Sequence, residues 1–195
     1  MDEGYIKFNC RWIKTKPFSK DRISEINDFR DRLYKLGLIG AYSNGIGFGN
    51  ISQRIDNRSF IITGSATGNL KELNKNHYVE VNNYDLSQNS ITCTGPIKAS
   101  SESLSHAAIY ECSPDSNAVI HVHNIDIWKN HIHKIPTTKS DVLYGTPEMA
   151  NEIKRLFKES NVNAEKNIVM GGHQEGIISF GKSLDEALRI LLNML

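Results

Sequence analysis

Apolar positions along the chain follow two rhythms. Over residues 19–36, Ile23, Ile26, Phe29, Leu33 and Leu36 return at three- and four-residue steps. That is one face of a helix, and Gly37 is placed to close it. Met149, Ile153, Leu156 and Phe157 repeat the pattern after Thr146-Pro147-Glu148, where a capping hydroxyl precedes a proline at the first helical position. This predicts a helix running to about residue 158. A third helix is expected from Ser100 or Ser101 to Cys112, and a last one from the capping box Ser183-x-x-Glu186 to Leu195. Between these lie short β-branched and aromatic runs at residues 5–13, 50–52, 60–63, 78–81, 91–93, 118–123, 167–170 and 177–180. Those between residues 40 and 95 succeed one another without a helix, punctuated by Gly, Asn and Asp. Such a succession predicts a largely antiparallel or mixed sheet with helices packed on it, not a doubly wound fold.

Composition narrows the functional classes. The chain has 195 residues with no visible repeat or linker, which predicts one domain over residues 1–195. Lys and Arg number 23 against 22 Asp and Glu, so the basic excess of a nucleic-acid binder is missing. No apolar run approaches the ~18 residues of a membrane helix. The opening Met1-Asp2-Glu3-Gly4 lacks the basic and then apolar regions of a signal peptide. Cys10, Cys93 and Cys112 are widely spaced and odd in number, which argues for a reducing, cytoplasmic setting without a disulfide framework.

Histidine carries the chemistry. His121-Val122-His123 ends an apolar run, and on a strand residues i and i+2 share a face, so the pair is either packing or half of a metal site. His131-Ile132-His133 lies in a Lys- and Asn-rich stretch and reads as solvent-facing. His173 sits within Gly171-Gly172-His173-Gln174-Glu175-Gly176, either a plain turn or a place of close backbone approach around a fixed side chain. Ser100, Ser101 and Glu102 open a helix, where they serve as caps or as an anion seat with an acid/base carboxylate beside it. Residues 63–68 and the glycine-rich residues 42–49 form turns that either hold a ligand or lie at the surface.

In order, Gly49-Asn50-Ile51-Ser52, Ile62-Thr63-Gly64, Ser100-Ser101-Glu102, His106, His121-Val122-His123, Gly145-Thr146-x-Glu148 and His173 resemble the class II aldolase/adducin family over about residues 25–195. The resemblance implies a three-layer α/β/α sandwich around a mostly antiparallel sheet, with residues 1–20 an extension packed on it. It also implies a homo-oligomer, a tetramer, with sites between subunits. The implied activity is a metal-dependent lyase that cleaves a small phosphorylated keto sugar through a metal-stabilised enediolate. Epimerases, dehydratases and the non-catalytic adducin head domain share the family. Carried over by motif, Asn50, Thr63, Gly64, Ser100 and Ser101 hold the substrate phosphate, and Glu102 is the acid/base. His121, His123 and His173 hold one divalent ion per subunit, typically zinc. Aligned instead from Gly176 and the Gly181-Lys182-Ser183 turn, Glu175 takes the place of His173 or joins it as a further ligand. Asp141, four residues before Gly145, matches an epimerase base supplied to the neighbouring subunit, or is a turn former. Several relatives carry a tail tyrosine beyond the last helix, for which no counterpart is expected here.

Overall fold

The computed structural model describes residues 5–195; residues 1–4, which carry the reading of the N-terminus as leaderless, lie outside them. An eight-stranded sheet forms the centre, in the order β1-β7-β6-β5-β4-β8-β10-β9. Its strands are β1 (Asn9–Lys14), β4 (Asn50–Arg54), β5 (Phe60–Thr63), β6 (Tyr78–Asp85), β7 (Ser90–Gly95), β8 (Ala118–His123), β9 (Asn167–Val169) and β10 (Gly176–Gly181). Every pairing is antiparallel except β1 with β7. β2 (Gly40–Ala41) and β3 (Gly47–Phe48) form a separate small hairpin.

Side-chain alternation divides the sheet into two buried faces. Phe60, Ile62, Val119, Ile178 and Phe180 face one cluster, which α2 (Ser103–Cys112) and α4 (Pro147–Glu159) cover. Ile51, Ile61, Ile120, Val122 and Ile177 face the other, covered by α1 (Lys20–Lys35) and α6 (Leu184–Leu192). The result is the three-layer α/β/α arrangement that the family resemblance implies. Short α3 (Ile125–His131) and α5 (Val162–Glu165) complete the α-helices among the described residues, and Lys75–His77 form a 3-10 turn.

Several boundaries differ from expectation. The first strand begins at Asn9, not residue 5, and it is built into the sheet edge: Trp12 Nε1 donates to the Gly95 carbonyl at 3.0 Å and Phe8 is buried. On α1, Leu36 turns outward at the C-cap, while Arg30 is buried. The Arg30 guanidinium donates to the carbonyls of Lys71 (3.0 Å), Thr67 and Gly68 (both 3.2 Å) and Leu70, tying down the 67–71 loop. The second helix starts at Ser103, because Ser100 and Ser101 belong to the turn before it. In the last helix Ser183 accepts from the Glu186 N–H, but Glu186 bonds the Lys182 N–H and Lys166 Nζ, so the reciprocal half of the box is missing. That helix ends at Leu192 rather than Leu195. His131 does not face solvent as expected. It ends α3 half-buried, its Nε2 donating to the Met194 carbonyl at 3.1 Å, while His133 is exposed.

The topology gathers chemistry at one end of the sheet. β4 starts there at Asn50, β5 ends at Thr63, β8 ends at His123 and β10 starts at Gly176.

Candidate metal centre

His121 and His123 project from β8 on the same face as Val119, toward the α2 layer. His173 comes from the turn joining β9 to β10. That turn is pressed against loop 138–142: a Cβ at Gly171 would lie 2.2 Å from the Thr138 carbonyl oxygen, and one at Gly172 2.0 Å from that of Val142. Only glycine admits this approach, and it drives His173 back onto the end of β8. Among the described residues, one nitrogen from each of His121, His123 and His173 lies within 4.8 Å of the others, and all three residues are buried.

Hydrogen bonding fixes where the lone pairs point. His121 Nδ1 is 3.1 Å from the Ile177 carbonyl, so Nδ1 carries the proton and Nε2 is bare. His123 Nδ1 is 2.6 Å from the Tyr42 hydroxyl, which donates its one proton to Glu175 Oε2 at 3.0 Å. With that proton directed to the carboxylate, His123 Nδ1 is assigned as the N–H and its Nε2 as the bare nitrogen. These two bare nitrogens stand 3.1 Å apart. Burial first, and the neighbouring imidazoles second, hold His121 and His123 well below the ordinary histidine pKa, so both are neutral. Two facing lone pairs in a dry site repel unless a cation lies between them. Nitrogens each ~2.0–2.1 Å from one ion stand roughly 3.0–3.4 Å apart. The donor set therefore fits a divalent ion that accepts imidazole.

Glu102 is 1% exposed at the start of α2; Ser105 Oγ donates to its Oε2 at 2.7 Å, and its Oε1 is 3.6 Å from His173 Nδ1. Asn50 lies across from His121 in the β4–β8 pair, its Oδ1 buried without a hydrogen-bond partner among the described residues. Thr63 Oγ1 accepts from the Ile51 N–H at 3.3 Å. Gly64 bridges to Ala99, where a Cβ would sit 2.4 Å from Ile97 Cγ2, so this turn reaches the Ser100-Ser101 turn only as glycine. Ser100 Oγ accepts from the Glu102 N–H at 3.4 Å, and Ser101 is buried beside it. The structure thus brings Asn50, Thr63, Gly64, Ser100, Ser101, Glu102 and the three histidines to one end of the sheet. It leaves Asp141 exposed on the loop that crosses Gly171 and Gly172. Glu175 is outside the three-histidine group; its Oε2 is 4.0 Å from His123 Nδ1.

Sequence reasoning missed the aromatic wall. Phe48 stacks on His123 with centroids 5.2 Å apart, and Tyr144 stacks on His173 at 4.8 Å. The signal for Tyr42 and Phe48 was the glycine density of residues 42–49, which the β2–β3 hairpin resolves in favour of the site. Behind the centre, His106 Nδ1 is 2.6 Å from Ser52 Oγ, which is 2.8 Å from the Tyr110 hydroxyl. Burial lowers the His106 pKa to about 3, so it too is neutral.

Residues 32–194 match the family described as the class II aldolase and adducin N-terminal domain. The chain belongs to this family. Among curated proteins none matches its sequence. Among solved structures it is similar to an L-fuculose 1-phosphate aldolase, with 18% identity over 90% of this chain and 82% of that one, TM-score 0.67. A sugar-phosphate aldolase from Thermotoga maritima is 16% identical over 90% of both chains, TM-score 0.64. An L-fuculose 1-phosphate aldolase from Glaciozyma antarctica PI12 is 12% identical over 90% and 71%, TM-score 0.56. At these identities the likeness is one of fold. The class II aldolase fold is thus present in this chain, together with a three-histidine group able to hold a metal ion.

Proposed function

We propose that this family member is a divalent-metal-dependent lyase of the aldolase type, cleaving a small phosphorylated keto sugar. The observation that carries the reading is the 3.1 Å approach of the buried Nε2 atoms of His121 and His123, with His173 beside them and the Glu102 carboxylate next to His173. His121, His123 and His173 would hold the ion, zinc by the nitrogen donor set. When bound it supplies a Lewis acid for the sugar's carbonyl and hydroxyl oxygens. The chain does the rest. Asn50, Thr63, Gly64, Ser100 and Ser101 seat the phosphate, supported by the turn at the mouth of α2, where hydroxyl and N–H donors gather. As the C–C bond breaks, its electron pair passes to the keto carbonyl, and the hydroxyl on the departing carbon gives its proton to the Glu102 carboxylate to leave an aldehyde. Glu102 delivers the proton that completes the ketone product.

An epimerase with the same bond-breaking step is the second reading, supported by the exposed position of Asp141, which leaves it available to a neighbouring subunit. Membership of the family favours a homo-oligomer, which we take to be a tetramer. The functional unit in this proposal is the whole chain, because β1 is hydrogen-bonded into the sheet edge. Three free cysteines favour the cytoplasm. No helix among the described residues is long and apolar enough to cross a membrane.

The test is elemental analysis of the purified protein beside His121→Ala, followed by a screen of phosphorylated ketoses for aldehyde release and epimer formation. Near-stoichiometric zinc that disappears in the variant, with aldehyde release, is expected. Epimer without aldehyde selects the second reading. A wild-type protein that takes up no divalent ion sinks both in favour of an adducin-like assembly domain.

A further inference from the structure

His123 differs from His121 in what holds it. His121 is fixed by a backbone carbonyl, which no side-chain change removes. His123 is fixed by a side chain, Tyr42, and Tyr42 is fixed in turn by Glu175. We propose that Glu175, acting through Tyr42, is a positioning residue that sets the tautomer and aim of His123 and thereby the affinity of the three-histidine centre for a divalent ion. The inference rests on the metal-dependent reading above.

The geometry assigns each proton. Glu175 Oε2 lies 4.0 Å from His123 Nδ1, too far for a direct hydrogen bond. The phenol oxygen closes that gap, at 2.6 Å from the imidazole and 3.0 Å from the carboxylate. A phenol has one proton, and here it goes to the carboxylate, so the oxygen can only accept from Nδ1–H. A carboxylate at the far end makes the phenol oxygen a better acceptor and the imidazole a better donor of its Nε2 lone pair. The ring cannot turn away, because Phe48 stacks on it at 5.2 Å and packs against Tyr42 at 4.9 Å.

Glu175 is held in place at a conformational cost. Its φ is +71°, a left-handed backbone that non-glycine residues rarely adopt. Its carbonyl accepts from the Asn124 N–H at 3.0 Å, directly after His123, which ties it to the strand end that it serves. A side chain kept in such a conformation beside a functional group is the pattern expected of a residue retained for its task. It also separates the two readings of the Gly171–Gly176 turn: His173 belongs to the nitrogen cluster, and Glu175 acts one shell behind it.

The test uses the full chain, stripped of metal and titrated with zinc against a chromophoric chelator, in wild type, Tyr42→Phe, Glu175→Ala, Glu175→Gln and the Tyr42→Phe/Glu175→Ala double variant. Tyr42→Phe and Glu175→Ala are each expected to weaken zinc binding about 10- to 100-fold. The double variant should lose no more than Tyr42→Phe alone, because both break one chain of contacts. Glu175→Gln, whose amide oxygen still accepts from the phenol, should fall between Glu175→Ala and wild type. Metal-free melting temperatures should stay within about 2 °C of wild type, a readout that a merely structural role would move. Unchanged affinity in both single variants overturns the inference and leaves the proposed function standing. So does a large loss in Glu175→Ala with none in Tyr42→Phe, which would make Glu175 a direct ligand. If Tyr42→Phe fails to fold, Glu175→Ala against Glu175→Gln decides: equal to wild type in both, the inference falls. A wild-type protein that binds no zinc takes the proposed function down with it.

Discussion

Glu102 is almost fully buried, with Ser105 Oγ donating to its Oε2 and its Oε1 3.6 Å from His173 Nδ1. Set beside the three-histidine group, this carboxylate is placed to move a proton there. The proposed use is proton transfer, and the residue-scale prediction isolates it. Glu102→Gln keeps the size of the side chain and an oxygen for Ser105 while removing the transferable proton. We expect kcat to fall about 10²- to 10⁴-fold, with zinc content unchanged. Elemental analysis alongside the aldehyde-release assay reads both quantities. Zinc lost together with activity would place Glu102 among the ligands instead of beside them.

At the scale of elements, the turn joining β9 to β10 is the part that local sequence dictates most strictly. With 2.0 Å between a Cβ at Gly172 and the Val142 oxygen, alanine cannot be accommodated unless the turn and loop 138–142 separate. Overpacking of this kind costs about 1–3 kcal/mol. Gly172→Ala should therefore lower the urea midpoint of the metal-free protein, and by moving His173 it should also weaken zinc binding. An unchanged midpoint would mean that the two segments are not held together as described. This strictness explains what was readable. The β8 strand, ending in His121 and His123, was legible because an apolar run followed by an i, i+2 histidine pair is a local pattern. So was α4, through its Thr146-Pro147 start. The β2–β3 hairpin was not, since two-residue strands have no periodicity to detect. Neither was α3, whose seven residues are too few to repeat a face. Burial of Arg30 was equally invisible, because its partners are backbone carbonyls, 37 to 41 residues away. Tyr42 and His123 are 81 residues apart, and only the sheet brings them together.

For the whole molecule, the buried neutral imidazoles couple folding to pH. His106 shows the effect most clearly, being enclosed behind the centre with Nε2 buried and without a hydrogen-bond partner among the described residues. Burial takes its pKa from 6.5 to about 3 in the folded state. In the unfolded chain it returns to the ordinary value, so between those two pH values the unfolded state binds the extra proton. Stability then rises with pH across that window. The contribution is fully present above pH ~6.5 and is lost progressively as the pH falls toward ~3, at up to ~1.4 kcal/mol per pH unit and on the order of 5 kcal/mol in total. Urea titrations of the metal-free protein from pH 7 to pH 4 measure the slope directly. His106→Asn should flatten it by about one proton, whatever the substitution does to stability at pH 7. Equal slopes in the two proteins would show that His106 is protonated in the folded state, and the neutral chain from Tyr110 through Ser52 to His106 would have to be abandoned.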